Sequence, residues 1–220
     1  MSIKINDIEQ QLTKYKLQID EKTLHNITKY LENAIQNNDE NLANYLWCLR
    51  TIWHIQKGFV DAFQLISDGA YENAWNCLDT ADKMLIALEN QDEVETRQFR
   101  NIYGLEFIKR MIPRYQNIFP YKYFFSRGSI IKEMHCSICG QPIKIRNRCP
   151  HKVGHLYMGK MCCRIITKME VKEISLVTDP VDKYAIAHIS EMEFNYDALK
   201  TLMNVVSYPF TEWDVTITEI

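Results

Sequence analysis

No run of 18 or more apolar residues occurs in this 220-residue chain, so no segment has the length of a membrane-spanning helix. The start is not expected to act as a secretory leader either. Met1 to Gln11 mixes charged and amide residues with isolated isoleucines, and lacks a basic start followed by a continuous apolar stretch. Secretion is not expected, and a cytoplasmic location is. Acidic residues are nearly absent from one region. Residues 122–168 carry ten Lys/Arg and a single acid, Glu133, although the whole chain has a net charge of −2. On either side the balance reverses, with 10 Lys/Arg against 16 Asp/Glu in residues 1–100 and 3 against 10 in residues 169–220. A near-neutral average therefore conceals a basic island, which suits either phosphate contact or a merely solvated face.

The seven cysteines are unevenly placed. Cys48 and Cys77 stand alone in apolar helical surroundings, where a thiol behaves as a small core residue. The other five fall between Cys136 and Cys163. A secreted disulfide scaffold spreads an even number along the chain, whereas a local cluster with histidines indicates a metal site.

Helical periodicity dominates the first half. Leu24, Ile27, Leu31, Ala34 and Ile35 form one stripe, and Asn37-Asn38-Asp39 breaks it, with Asp39 placed to cap the next helix. That helix carries Leu42, Leu46, Leu49, Ile52 and Trp53 towards Phe63, and Ser67-Asp68-Gly69 is a turn. Tyr71, Ala74, Trp75, Leu78, Ala81, Leu85 and Leu88 make a further stripe, and a last helix is expected from Glu93 to Ile112, ending before Pro113. Residues 69–75 with Leu78 and Ala81 resemble the second part of a tetratricopeptide-type hairpin, although no second copy follows at a 34-residue offset. Pro113 to Ser126 reads as an extended, aromatic connector whose rings pack the two halves together, or else stack bases. Strands are expected at Val171–Val177, Tyr184–Ile189 and Trp213–Ile217, and a short helix at Tyr196–Val205. The expected architecture is α+β: a helical bundle over residues 1–118, followed by a small zinc-stabilised, β-rich module over 119–220.

The informative stretch runs Cys136-Ser137-Ile138-Cys139-Gly140, Cys149-Pro150-His151, His155 and Cys162-Cys163. Cys-x-x-Cys-Gly folds back so that both thiolates reach one ion, and zinc takes four N or S ligands in a tetrahedron. Cys136, Cys139 and Cys162 are the first choice, completed by Cys149 or His151. His155 is an outsider. Cys162 is placed at the start of a helix, Cys162–Glu170, which turns Cys163 away into a buried position. The module resembles zinc ribbons and treble-clef fingers over some 30 residues, which implies one structural Zn2+. Its second pair is not another Cys-x-x-Cys.

Lys144, Arg146, Arg148, Lys152, Lys160, Arg164 and Lys168 interleave with the expected ligands and would meet nucleic-acid phosphates, while the helical half docks a protein partner. The alternative is a protein–protein adaptor in which zinc only holds the fold. A hydrolase is the remote reading. The His-x-Glu deaminase signature and a His-Glu-x-x-His helix are absent, and no acid, base and nucleophile converge. A non-enzymatic role is therefore expected. Glu173-Ile174-Ser175-Leu176-Val177, ending in Thr178-Asp179-Pro180, is similar to a strand phrase of phage prohead proteases, which implies a serine hydrolase with a histidine partner.

Overall fold

The computed structural model describes residues 2–13, 20–91, 97–144, 146, 149–189 and 193–205. The chain is α+β, with seven helices among the described residues, mostly N-terminal, followed by a small antiparallel region that bears the cysteine cluster. None of these helices is long and apolar enough to cross a membrane.

The helical half begins with α1 (Ser2–Thr13), α2 (Glu21–Gln36), α3 (Glu40–Ser67) and α4 (Tyr71–Glu89). Asp20 caps α2 by accepting the Lys22 N–H at 2.8 Å, and Asp39 caps α3 through the Leu42 N–H at 3.1 Å. The break between α2 and α3 is sharp because Asn38 takes a left-handed φ of 53°. The Asn38 and Asp39 N–H groups then close back on Ile35 and Ala34. Gly69 does the same after α3, at φ 76°, with Ala70 N–H bonded to the Leu65 carbonyl. α3 is apolar on several faces because it is the central element: Leu46, Leu49, Ile52, Ile55 and Phe59 are completely buried.

The expected final helix is divided. Its proposed start lies outside the described residues, and Gly104, at φ 68°, separates α5 (Arg97–Ile102) from α6 (Leu105–Gln116). Nor does α6 end before Pro113; the proline lies inside it. One backbone hydrogen bond is lost there, but Met111, Ile112 and Tyr115 all bury their side chains by keeping the helical course. The aromatic connector packs rather than stands free. Trp75 of α4 meets Phe119, Tyr121 and Phe124 at ring separations of 5.4, 5.1 and 5.9 Å, leaving Tyr123 and Phe125 outside.

From Phe124 the chain enters β1 (Phe124–Cys136), which pairs antiparallel with β4 (Arg164–Val177) from Phe124–Val177 to Cys136–Arg164. The short strands β2 (Leu156–Tyr157) and β3 (Lys160–Met161) form a hairpin between them. Two expectations fail here. Residues 164–177 form one long strand, where a helix was expected over Cys162–Glu170; Ile165, Ile166, Thr167 and Val171 are β-formers, and β1 supplies the ladder. Tyr184–Ile189 is not a ladder strand, and only Ile186 bridges to Phe124. Helix α7 (Asp197–Val205) occurs almost where expected, with Leu199 fully buried, and Trp213–Ile217 lies outside the described residues.

Two seams fasten this region to the helices. Along α4, Lys183 offers its carbonyl to Trp75 Nε1 at 2.8 Å, Asp182 meets Lys83 at 3.4 Å, and Tyr184 bonds Thr80. At the other end the β2–β3 turn sits on α2 and α3. Met158 and Gly159 both have positive φ, as a tight hairpin turn requires, and the Gly159 N–H reaches Asn44 Oδ1 at 2.9 Å. A Cβ at Gly159 would lie 2.6 Å from Leu31 Cδ1 and 3.1 Å from the Ala43 carbonyl oxygen. Gly159→Ala is therefore expected to lower unfolding stability by ~1–3 kcal/mol from backbone strain alone, with loss of the hairpin's seat on α2 and α3. Denaturant unfolding of the variant and hydrogen exchange at Leu156–Met161 check this; a midpoint equal to the parent's would contradict it.

Candidate metal centre

The end of β1 and the turn after it build the first half of the site. Gly140, at φ 70°, returns its N–H to the Cys136 carbonyl at 2.9 Å, and the Ile138 N–H points at Cys136 Sγ from 3.4 Å. The chain thereby folds Cys139 back beside Cys136. The knuckle is pinned from both sides, by Ile143 N–H to the Met134 carbonyl and by Ser137 N–H to the Cys163 carbonyl. The loop before β2 supplies the second half. His151 packs edge-on against Tyr157 at 4.7 Å, and the Tyr157 hydroxyl accepts the Lys152 N–H at 2.9 Å.

These elements bring together one ligand atom each from Cys136, Cys139, Cys149 and His151, all within 4.8 Å of one another. Cys149 and His151, offered by the sequence as alternatives, both arrive. Cys162, a first choice from the sequence, is not one of these four but lies beside them, with its Sγ 3.9 Å from Cys136 Sγ. Sulfurs about 2.3 Å from one zinc in a tetrahedron stand about 3.8 Å apart, so that separation is itself an edge of such a figure. His155 is exposed and contributes its backbone, accepting the Cys162 N–H at 2.8 Å. Cys163 was expected to be buried and is exposed. Successive residues entering a strand point to opposite sides, so Cys162 faces inward and Cys163 outward.

The donor set suits a metal cation on two independent grounds. His151 Nδ1 is buried with no hydrogen-bond partner, and a buried ring nitrogen left alone is costly. The thiols are also unevenly disposed towards ionisation. Backbone N–H donation from Cys139 pulls the Cys136 thiol down to about 6, while burial pushes Cys162 up to about 11 and raises Cys149. The Cys136 thiolate forms readily, whereas Cys149 and Cys162, held back first by burial and then by the neighbouring Cys136, need a cation beside them to ionise.

Three contributors carried no sequence signal. Ser137 donates its N–H to Cys163, accepts the Cys163 N–H at 2.8 Å, and so ties the knuckle to β4. Tyr157 orients the His151 loop, and Gly159 seats the hairpin. A serine inside Cys-x-x-Cys and a lone tyrosine are too common to single out before the fold is known.

Of the basic residues, Lys144, Arg146, Lys152, Lys160 and Arg164 are exposed in the segments that carry the cluster, and Arg148 lies outside the described residues. None of those five has an ion-pair partner among the described residues, whereas Lys168 is paired with Glu133 at 3.6 Å. Compared with family models, with characterised proteins and with solved structures, the chain matches none.

Cys136→Ser and Cys139→Ser are expected to abolish bound metal, whereas Cys48→Ser, which buries a hydroxyl at a cost of about 1–3 kcal/mol, keeps it. Chelation of the parent should expose residues 134–170 to hydrogen exchange while the bundle stays protected. Elemental analysis that finds equal metal in Cys136→Ser and parent protein would contradict the site.

Proposed function

We propose that the cluster holds one structural zinc ion and presents a basic surface to nucleic-acid phosphates, with the helical bundle of residues 1–118 docking a protein partner and residues 119–220 forming the zinc module. Three thiols with one imidazole are the donor set of structural zinc sites, in which no position is kept for water. Cys136, Cys139, Cys149 and His151 are the ligands of this reading. Cys162, against Cys136, is the thiol that would take a place vacated by His151.

The observation that carries the nucleic-acid reading is the absence of ion pairing at Lys144, Arg146, Lys152, Lys160 and Arg164 among the described residues. Surface lysines and arginines commonly find carboxylates. These cations interleave in sequence with a cluster whose ion would fix their geometry, in residues 122–168 where Glu133 is the only acid. Contacts of this type give salt-sensitive affinity and little sequence readout. The second reading is an adaptor whose basic face meets an acidic protein, and the same surface favours it if nucleic acid does not bind.

If four or five of these side chains neutralise phosphates, binding should weaken with salt along a log–log slope of about −3 to −5, depending on strand type. The double variant Lys144→Glu/Arg146→Glu should flatten that slope and leave zinc content unchanged, since neither side chain ligates metal. Fluorescence anisotropy with RNA, single-stranded DNA and duplex DNA at about 50 and 200 mM salt spans the range in which such binding falls steeply. Absence of binding to all three at the lower salt gives the case to the adaptor.

A further inference from the structure

The β1–β4 ribbon has two unlike edges. The outer edge of β1 is closed at its base, where the Phe125 N–H reaches the Ala185 carbonyl at 2.7 Å, and at its tip, where Ile143 and Gln141 bond Met134 and Cys136. β4 pairs only with β1, and among the described residues no other segment bonds the backbone of Arg164–Val177. The same strand holds Ile165, Ile166, Met169, Val171, Ile174 and Leu176 between 46% and 66% exposed. An isolated two-stranded ribbon is marginal in water, and a long apolar edge is a template for another strand.

Edge strands of monomers are commonly blunted by lysines, which repel a second strand. Here both lysines of β4 are answered within the ribbon, Lys168 by Glu133 and Lys172 by Glu170. Register shifts leave Thr167 and Lys172 of β4, and Lys132 of β1, without a partner in the ladder, so Met169–Val171 is the regularly paired run and Lys168–Val171 the stretch of β4 free of skipped residues. We propose that β4 pairs antiparallel with β4 of a second copy, about a two-fold axis at Met169, giving a four-stranded sheet.

Charge and the irregularities of the ladder together select the occupant and the register. Side chains alternate along a strand, so a two-fold axis normal to the sheet must pass where a residue faces its own counterpart. Placed at Lys168 or at Glu170, the axis sets like charge against like, and at Val171 it would match Glu170 only to Lys172, a residue that the ladder with β1 skips. Placed at Met169, it sets Lys168 against Glu170 of the second copy twice, Thr167 lies opposite Val171, and the exposed methionine meets itself. A self-complementary pattern of this kind is what a second copy needs, and an unrelated strand would have no reason to match it.

Analytical ultracentrifugation of the full zinc-loaded chain, over a roughly hundredfold dilution range, should show a dimer that dissociates on dilution. Lys168→Glu and Glu170→Lys should each weaken self-association about tenfold or more, because both face like charge twice. Mixed in equal amounts they should recover the dimer as a heterodimer, read by native mass spectrometry. Each variant's zinc content and circular dichroism must equal the parent's. Should either variant fail that check, Met169→Cys in the otherwise unchanged chain decides, since residue 169 facing its counterpart gives a 169–169 disulfide on mild oxidation, located by peptide mapping. A monomeric parent overturns the proposal. Dimers that neither variant weakens, variants that do not recover on mixing, and oxidised Met169→Cys without the 169–169 link overturn it as well.

Discussion

Trp75 is the point through which the C-terminal half acquires its position. Its ring lies among Phe119, Tyr121 and Phe124, and its indole N–H is accepted by the Lys183 carbonyl at 2.8 Å. One side chain of α4 thus gathers the connector, the first residue of β1 and the strap that follows β4. A buried aromatic contributes both a large apolar area and, for tryptophan, a directed donor. The strap could not lie on α4 without burying polar backbone, and the indole satisfies part of it.

From that anchor the ribbon runs outward, and its far end is fixed separately. The tip carries Cys136 and the knuckle, the loop before β2 brings Cys149 and His151, and the β2–β3 turn rests on Leu31 and Ala43. The ligand cluster is therefore assembled where three excursions of the chain meet, with the helical bundle as the floor for one of them. This explains why the docked glycine belongs to the site as much as the donors do. Without its seat, the hairpin that separates His151 from Cys162 has no defined height above α2 and α3.

Between its two anchors the ribbon is exposed along almost its whole length, and its charges are disposed differently from those of the module it supports. Lys132, Lys168 and Lys172 are each held by a glutamate of the ribbon, whereas the cations around the cluster have no such partners among the described residues. One stretch of basic sequence thus divides into a self-neutralised, apolar surface and an uncompensated one. Polyanion contact suits the second; strand pairing suits the first.

The sequence alone determined the helical bundle, because amphipathic periodicity and capping act within a few residues. Asp39, Asn38 and Gly69 mark real helix ends. It also located the cysteine cluster, since a knuckle needs only a short loop with a glycine. The aromatic connector was legible as core. What failed were choices that distant partners decide. Arg164 onward could have been a helix or a strand on local pattern, and only β1, some 30 positions earlier, provides the ladder. Pro113 would normally stop a helix, yet burial of Met111, Ile112 and Tyr115 carries α6 through it. The arrival of both Cys149 and His151, and the outward turn of Cys163, likewise depend on where the β2–β3 hairpin docks, which no spacing rule contains.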